Sequence, residues 1–222
     1  MSFPQLVESL LADTLGPSLT AFRPELAVCA TIVAILLVRT IVPAWRTAAW
    51  YLAMLGVAVG FWLLVPALWQ SLWSLDSPAP PVAIFTGMLV ADSFSLVMRA
   101  VLLFFTLLLI GLCQITGTPR DEDATEFCVL LLGALLGMCL MVSANHMLIV
   151  FLAVEMASVP CYVLAGLLRE RRTAGEAALK YAVFGAAAAG VMLYGISLLV
   201  GLLGSAHLPT MAVRMAELGI AQ

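Results

Sequence analysis

Two ionisable residues in strongly apolar surroundings, Glu155 and Lys180, are the main candidates for chemistry in this sequence. A charge taken away from water is costly, so each of them needs a physical reason to be there. A carboxyl group in a dehydrated site can take up and release a proton. A lysine ammonium can also lose its proton, whereas an arginine guanidinium effectively cannot, and Lys180 is the only lysine in the chain. These two residues therefore indicate proton transfer.

Each candidate also has a structural interpretation that the sequence leaves open. Glu155 can be a buried glutamate, protonated or paired, that only ties helices together. Lys180 lies near the end of its apolar segment, where a lysine can extend to the lipid headgroups as an anchor. At a helical rise of 1.5 Å per residue, the two residues differ in depth by roughly 15 Å. We therefore expect no direct Glu155–Lys180 salt bridge, and any exchange between them requires water or a third group.

Three further polar residues near the ends of apolar segments are weaker candidates. Arg99 follows Asp92 by seven residues, so the two lie on about the same face of a helix, and we expect a local tether between them. His146 lies at a short turn between two apolar segments. It is either a proton relay or an imidazole that caps the turn.

The segments that hold these residues predict an all-α membrane protein with six transmembrane helices. Of the 222 residues, 64% are apolar and only 10% are charged, which is too few charges for a soluble domain of this size. A helix of about 20 apolar residues crosses the hydrocarbon layer. The six predicted segments are Leu26 to Val42, Trp50 to Trp69, Phe94 to Ile115, Phe127 to Ala144, Met147 to Leu168 and Ala177 to about Gly204.

The distribution of arginines predicts how the chain is oriented. Basic residues are retained on the cytoplasmic side of a membrane. They are concentrated in the loops after the first, third and fifth segments, at Arg46, Arg120, Arg169, Arg171 and Arg172. The opposite side has only Arg23 and Arg214. We therefore expect the N-terminal segment, residues 1–25, to face away from the cytoplasm, with helices 1–3 in 26–116 and helices 4–6 in 117–204.

Composition and motifs exclude several classes of partner and cofactor. The formal net charge of -3 offers no basic patch for a phosphate backbone, so nucleic acid is not expected as a partner. No G-x-G-x-x-G or P-loop occurs, and the five cysteines form no C-x-x-C pair. We therefore expect no metal and no cofactor in this chain.

A set of short motifs from Phe22 to Gly204 resembles subunit N of the respiratory NADH:quinone oxidoreductase, complex I, in the antiporter-like subunit family. The motifs are Arg23-Pro24-Glu25-Leu26, Asp92-Ser93-Phe94-Ser95, Glu126-Phe127, Ser143-Ala144-Asn145-His146, Glu155 with Ser158 and Tyr162-Val163-Leu164, Glu176-Ala177-Ala178-Leu179-Lys180-Tyr181, Gly185 and Tyr194-Gly195. The resemblance implies that Glu155 is the membrane-embedded glutamate of the proton-translocating machinery. It implies that Lys180 belongs to the hydrophilic path towards the cytoplasm.

The resemblance also implies a larger architecture around this chain. Family members have roughly fourteen helices with two inverted five-helix repeats, and ion sites lie at broken helices. This chain matches the first part, through three helices of the first repeat. Residues 205–222 resemble the connector before a broken helix that is missing here, together with the lysine that partners the glutamate. We therefore expect the chain not to pump protons alone.

Further expectations about partners and location follow from the resemblance. NADH, flavin, iron–sulfur clusters and quinone are expected in other subunits of a hetero-oligomeric complex in the inner membrane of a bacterial cell. Two alternatives remain open. One is an antiporter-like subunit of a sodium/proton antiporter or a membrane-bound hydrogenase, and the other is a non-conducting assembly scaffold.

Overall fold

Six long helices dominate the computed structural model, which describes residues 16, 18–42, 45, 47–73, 81–168 and 171–219, without the side chain of residue 72. The helices are α1 (Arg23–Ile41), α2 (Ala48–Trp73), α3 (Ser93–Thr116), α4 (Ala124–Ser143), α5 (Met147–Ala165) and α6 (Arg172–Leu203), followed by the shorter α7 (Leu208–Glu217). A single helical turn, Leu19–Ala21, precedes α1. All six long helices have the length and composition to cross a membrane. The predicted all-α membrane fold is confirmed.

The helix boundaries follow local sequence signals. Asp92 caps α3, because its Oδ1 accepts a hydrogen bond from Ser95 N at 2.7 Å and Ser95 Oγ accepts one from Asp92 N at 3.1 Å. Gly117 ends α3 with φ 64° and Gly204 ends α6 with φ 65°, a left-handed conformation that suits glycine. The last helix, α7, has Pro209 in its first turn and buries Met211. The N-terminal fifteen residues, Arg46 and Arg169 lie outside the described residues.

Helix α4 is the centre of the packing. It contacts α1, α2 and α3 on one side and α5 on the other, whereas α6 packs mainly against α5. The buried share of the spanning segment is 44% for α4 but 6% for α5 and 11% for α6. The apolar core lies among the first four helices and includes Val28, Ile35, Val57, Leu103, Leu132 and Leu135. The fold therefore has two parts, the α1–α4 bundle and the outer α5–α6 pair.

A small β-hairpin between α2 and α3 was not predicted. Strand β1 (Val82–Ile84) pairs with β2 (Leu89–Ala91) in antiparallel register, with Val82 opposite Ala91. Asn145 fastens the hairpin to the rest of the protein. Its N–H donates to Met88 O at 2.9 Å and its Nδ2 to Gly87 O at 3.1 Å.

Candidate functional site

Glu155 lies near the middle of α5, eight residues after Met147 and ten before Ala165. At 1.5 Å per residue it is about 12 Å from one end of the helix and about 15 Å from the other. The side chain is half-buried. Among the described residues its carboxylate has no hydrogen bond or ion pair, and its backbone oxygen accepts from Ser158 Oγ at 3.3 Å. The structure therefore leaves this carboxylate available to a partner outside the described contacts.

The direction of Glu155 follows from how α5 packs. A Cβ added at Gly137 of α4 would meet Ala157 N and Ala153 O, so that side of α5 lies against α4. Glu155 is about half a helical turn away from that side. The face that holds Glu155 leads to Gly166, the residue that caps the end of α5, where an added Cβ would lie 2.9 Å from the Cβ of Ala178 in α6. Glu155 therefore lies on the face of α5 that packs against α6 further along the helix.

Pro160 loosens the backbone of α5 one turn beyond Glu155. Proline has no N–H to donate, so the carbonyl of Met156 loses its usual helical partner. In a membrane such a carbonyl requires another donor, for example water. Pro160 packs beside Gly133 of α4, where an added Cβ would lie 3.6 Å from Pro160 Cγ. The helix next to the carboxylate is therefore suited to hold a hydrogen-bonding molecule.

Lys180 lies on the exposed surface of α6. Its Nζ is 2.6 Å from Oε1 of Glu176, one turn earlier, and the side chains of Lys180 and Glu176 are 66% and 63% exposed. Lys180 forms no salt bridge with Glu155 in the structure. This agrees with the prediction from their difference in depth. It also extends α6 to Arg172, five residues earlier than the predicted start at Ala177. Helical structure therefore continues through the charged residues of the preceding loop.

The predicted tether between Arg99 and Asp92 is wrong. Arg99 Nε instead lies 3.1 Å from Oε1 of Glu25 in α1, and the two side chains are only 3% and 2% exposed. Arg99 Nη2 donates to Ser143 Oγ at 2.7 Å, and Ser143 Oγ donates to Cys139 O at 2.8 Å. Asp92 is occupied as the cap of α3. Arg99 is therefore fixed by α1 and α4 rather than by its own helix.

Glu25 was not proposed as a site residue from the sequence. Spacing within one helix reveals only local partners, whereas Glu25 and Arg99 are 74 positions apart and meet only through packing. The sequence feature that could have identified Glu25 is its position at the start of a long apolar segment.

A cavity of about 1090 Å³ next to Arg99 is lined by polar groups such as Asp92 and Ser95 and by apolar ones such as Trp62.

His146 has the capping geometry. Its Nδ1 accepts a hydrogen bond from Leu148 N at 3.3 Å at the start of α5, and no described contact joins it to Glu155. A role as proton relay stays a prediction. A second histidine, His207, was missed. Its Nε2 lies 3.1 Å from Asn145 Nδ2 and its Nδ1 lies 3.1 Å from Thr210 Oγ1, where it fastens the turn before α7.

In the part of the chain that the structure describes, no three histidine, cysteine or acidic side chains come together as a metal site. All five cysteines are free thiols. Cys128 and Cys139 are buried in α4. They contribute to the apolar interior rather than to a reactive centre.

A model of a known protein family matches the last part of the chain. The family described as NADH:quinone oxidoreductase/Mrp antiporter, TM matches residues 144–220. That segment begins at the end of α4 and includes α5, α6 and α7, and hence both Glu155 and Lys180.

Relatives with longer sequences match most of the chain. It is 37% identical over 201 residues to NAD(P)H-quinone oxidoreductase subunit 2 of Gloeobacter violaceus, which covers 88% of this chain and 37% of that protein. It is 34% identical over 212 residues to NADH-quinone oxidoreductase subunit N 2 of Symbiobacterium thermophilum, with 92% and 41% covered. The chain thus spans about two fifths of the length of these relatives.

Two solved structures have a similar fold. Respiratory complex I from Thermus thermophilus with bound Aureothin contains a chain with 29% identity and a TM-score of 0.63, over 87% of this chain and 41% of that one. The membrane-bound sulfane sulfur reductase, an archaeal respiratory membrane complex, matches with a TM-score of 0.69 over 88% of this chain and 40% of that one. At 19% identity the second match concerns the fold alone.

Proposed function

Since this chain belongs to the subunit N family of NADH:quinone oxidoreductases and matches the N-terminal part of its members, we propose that it contributes to proton translocation. The proton movement is coupled to electron transfer from NADH to quinone in the assembled complex. The chain is a multi-pass membrane protein, and its relatives are subunits of respiratory enzymes. Electron transfer itself is assigned to other subunits, which hold NADH, flavin, iron–sulfur clusters and quinone.

The observation that carries this proposal is the position of Glu155. It lies in the middle of a helix that spans the membrane, without a described side-chain partner, on the face directed towards α6. An ionisable residue at that depth is energetically costly, and such residues in membrane helices commonly mark ion pathways. In our proposal the carboxyl group accepts and releases the translocated proton. Lys180, near the Arg172 end of α6, exchanges protons with the adjacent aqueous phase.

The orientation of the chain is part of the proposal. Among described residues, Arg120 follows α3, Arg171 precedes α6 and Arg172 begins it, and all three lie at the same end of the protein. By the retention of basic residues on the cytoplasmic side, this end faces the cytoplasm of a bacterial cell. The start of α1 and the β-hairpin then face the other side of the inner membrane.

A direct test is NADH-driven proton uptake in inverted membrane vesicles that contain the whole complex. Glu155→Gln keeps the size of the side chain and removes its proton exchange, so pumping should fall by at least about tenfold. Glu217→Gln, the same change at an exposed position of α7, is the matched control and should pump normally. If Glu155→Gln assembles and pumps like the control, Glu155 does not carry the proton and the chain is better described as a scaffold.

The family description supports one second candidate, because it includes Mrp antiporters as well as NADH:quinone oxidoreductases. In that case Glu155 and Lys180 would serve exchange of sodium for protons. The vesicle assay separates the two. NADH-driven pumping that is independent of sodium supports the first proposal, whereas proton movement that requires a sodium gradient supports the antiporter.

A further inference from the structure

The interface between α5 and α6 contains a tyrosine midway between the two proposed proton carriers. Tyr162 follows Glu155 by seven residues, so it lies on about the same face of α5 and about 10.5 Å nearer the Arg171 end. Its ring packs edge-to-face on Tyr181 of α6, with 4.7 Å between the ring centroids. Tyr181 is the immediate neighbour of Lys180 in the chain. Tyr162 therefore lies at a depth between those of Glu155 and Lys180, which are too far apart for direct contact.

Gly185 gives the Tyr162 hydroxyl its place against α6. A Cβ at position 185 would overlap with Tyr162 Oη, so an alanine there would displace the phenol group. Gly185 follows Lys180 by five residues, which sets the hydroxyl roughly 7 Å deeper than the backbone of Lys180. The packing thus holds a polar oxygen at a defined intermediate depth.

The hydroxyl is available for proton transfer. No hydrogen bond to Tyr162 Oη occurs among the described residues, and the side chain is half-buried. A hydroxyl group without a hydrogen-bond partner is energetically unfavourable in an apolar interface within the membrane. We therefore expect Tyr162 Oη to bind water. Because a phenol oxygen both donates and accepts hydrogen bonds, it can join two water molecules in a chain.

We propose that Tyr162 is a relay residue between Lys180 and Glu155, an inference that rests on the proton-translocating function proposed above. A water molecule protonated on the Lys180 side passes a proton to Tyr162 Oη, while the original hydroxyl proton passes to a water on the Glu155 side. One O–H bond forms as another breaks, so the phenol ends as it began and no electron is transferred. Rotation of the hydroxyl then restores the starting orientation.

The test is Tyr162→Phe in the assembled complex, measured as NADH-driven proton uptake in inverted vesicles. The ring that packs on Tyr181 remains and only the hydroxyl is lost, so a role in packing alone predicts no change. The relay predicts a fall in pumping of about tenfold. Tyr194→Phe, the same change at a residue of α6 that is 67% exposed, is the matched control and should pump normally. Gly185→Ala, which displaces the phenol, should reduce pumping as Tyr162→Phe does.

A second measurement separates proton transfer from a structural defect. The ratio of pumping rates in H₂O and D₂O should rise in Tyr162→Phe, because proton transfer across the gap becomes limiting. Reduced pumping with an unchanged ratio would overturn the relay, as would pumping equal to that of Tyr194→Phe. Glu155→Gln is assayed in parallel. If Glu155→Gln abolishes pumping while Tyr162→Phe pumps normally, only the proposed relay is refuted. Normal pumping by Glu155→Gln would instead refute the proton-translocating role on which the relay rests.

Discussion

The α1–α4 bundle and the α5–α6 pair treat their charged residues in opposite ways. In the bundle, Arg99 is bound by Glu25 and Ser143 and is almost fully buried. In the outer pair, Glu155 lacks a described partner and Lys180 has only an exposed contact with Glu176. A buried ion pair packed between helices is fixed in position. A charge with few contacts, by contrast, can exchange a proton with a neighbour. The α1–α4 bundle thus holds its charged residues in fixed positions, whereas the α5–α6 pair leaves its charged residues able to exchange protons.

The two regions also differ in the size of the side chains that pack between their helices. Large apolar side chains such as Ile35, Leu103 and Leu132 fill the bundle. The outer pair instead meets its neighbours through small residues, with Gly137 of α4 against α5 and Gly166 and Gly185 at the α5–α6 interface. Small residues allow close approach of helices in membranes. Changes in the bundle should therefore alter stability most, and changes in the outer pair should alter activity most.

The largest expected effect on stability is that of Arg99→Met. It leaves Glu25 as a buried carboxylate without a partner, which costs about 3–5 kcal/mol. The unfolding temperature of the purified chain in detergent should fall accordingly, measured with a thiol-reactive dye that reports exposure of the buried Cys128 and Cys139. Arg23→Met, at an exposed position of α1, is the control.

A double variant sharpens this prediction. Adding Glu25→Gln to Arg99→Met removes the uncompensated charge, so the double variant should be more stable than Arg99→Met alone. Equal unfolding temperatures of Arg99→Met and the Arg23→Met control would show that the buried pair does not hold the bundle together.

A smaller effect is expected from Gly137→Ala, at the joint between the two regions. The new methyl group would lie 2.5 Å from Ala157 N, so α5 must move away from α4, at a cost of about 1–3 kcal/mol. Gly133→Ala is the matched control on the same helix, because its Cβ would make an ordinary contact of 3.6 Å with Pro160. The dye assay should rank Gly137→Ala clearly below Gly133→Ala. The same unfolding temperature for both would contradict the close α4–α5 approach.

Removal of the α3 cap should have a more modest effect. Asp92→Ala removes the bond to Ser95 N and costs about 1 kcal/mol. Asp123, which precedes α4 without a side-chain cap bond, provides the matched change. We expect Asp123→Ala to unfold closer to the unaltered chain in the same assay. The reverse order would mean that the Asp92 bond adds nothing to α3.

The smallest effect on stability is expected at Lys180, where exposed ion pairs contribute little. Lys180→Met and Lys180→Arg should both unfold like the unaltered chain. In NADH-driven proton uptake, however, neither side chain can release a proton as lysine does, and Lys180→Met loses the charge as well. We therefore expect reduced pumping in both and the larger reduction in Lys180→Met. Full pumping in both variants would leave Lys180 as a surface anchor.

The helices were predictable from the sequence because the signal for a spanning helix lies in one continuous stretch. The structural boundaries of α5, Met147–Ala165, differ from the predicted segment only at its end. Glu155 and Lys180 could be selected for the same reason, since an isolated charge in an apolar stretch is visible locally. The capping geometry of His146 is one of the two alternatives that its place at a turn had left open.

Contacts between distant parts of the chain were not predictable in this way. Arg99 was assigned to Asp92 because that residue was close in sequence, whereas the packing of α1 brings Glu25 nearer. The β-hairpin is attached to the rest of the protein by hydrogen bonds from Asn145, more than fifty residues away. Tyr162 could be identified as a candidate only from the α5–α6 interface, where its hydroxyl packs against Gly185. Each of these depends on tertiary packing rather than on a local pattern.

The Glu25–Arg99 pair also has a consequence for the order in which the chain enters the membrane. Insertion of an unpaired arginine costs up to about 2.5–3.5 kcal/mol, the value at the centre of a helix, and a partner lowers the cost. Glu25 precedes Arg99 in the chain, so the carboxylate of α1 is made first during synthesis. When α3 leaves the ribosome, its guanidinium can associate with α1 at once, before α4 supplies Ser143. The Glu25–Arg99 pair can therefore enter the membrane as a neutral pair within the first three helices.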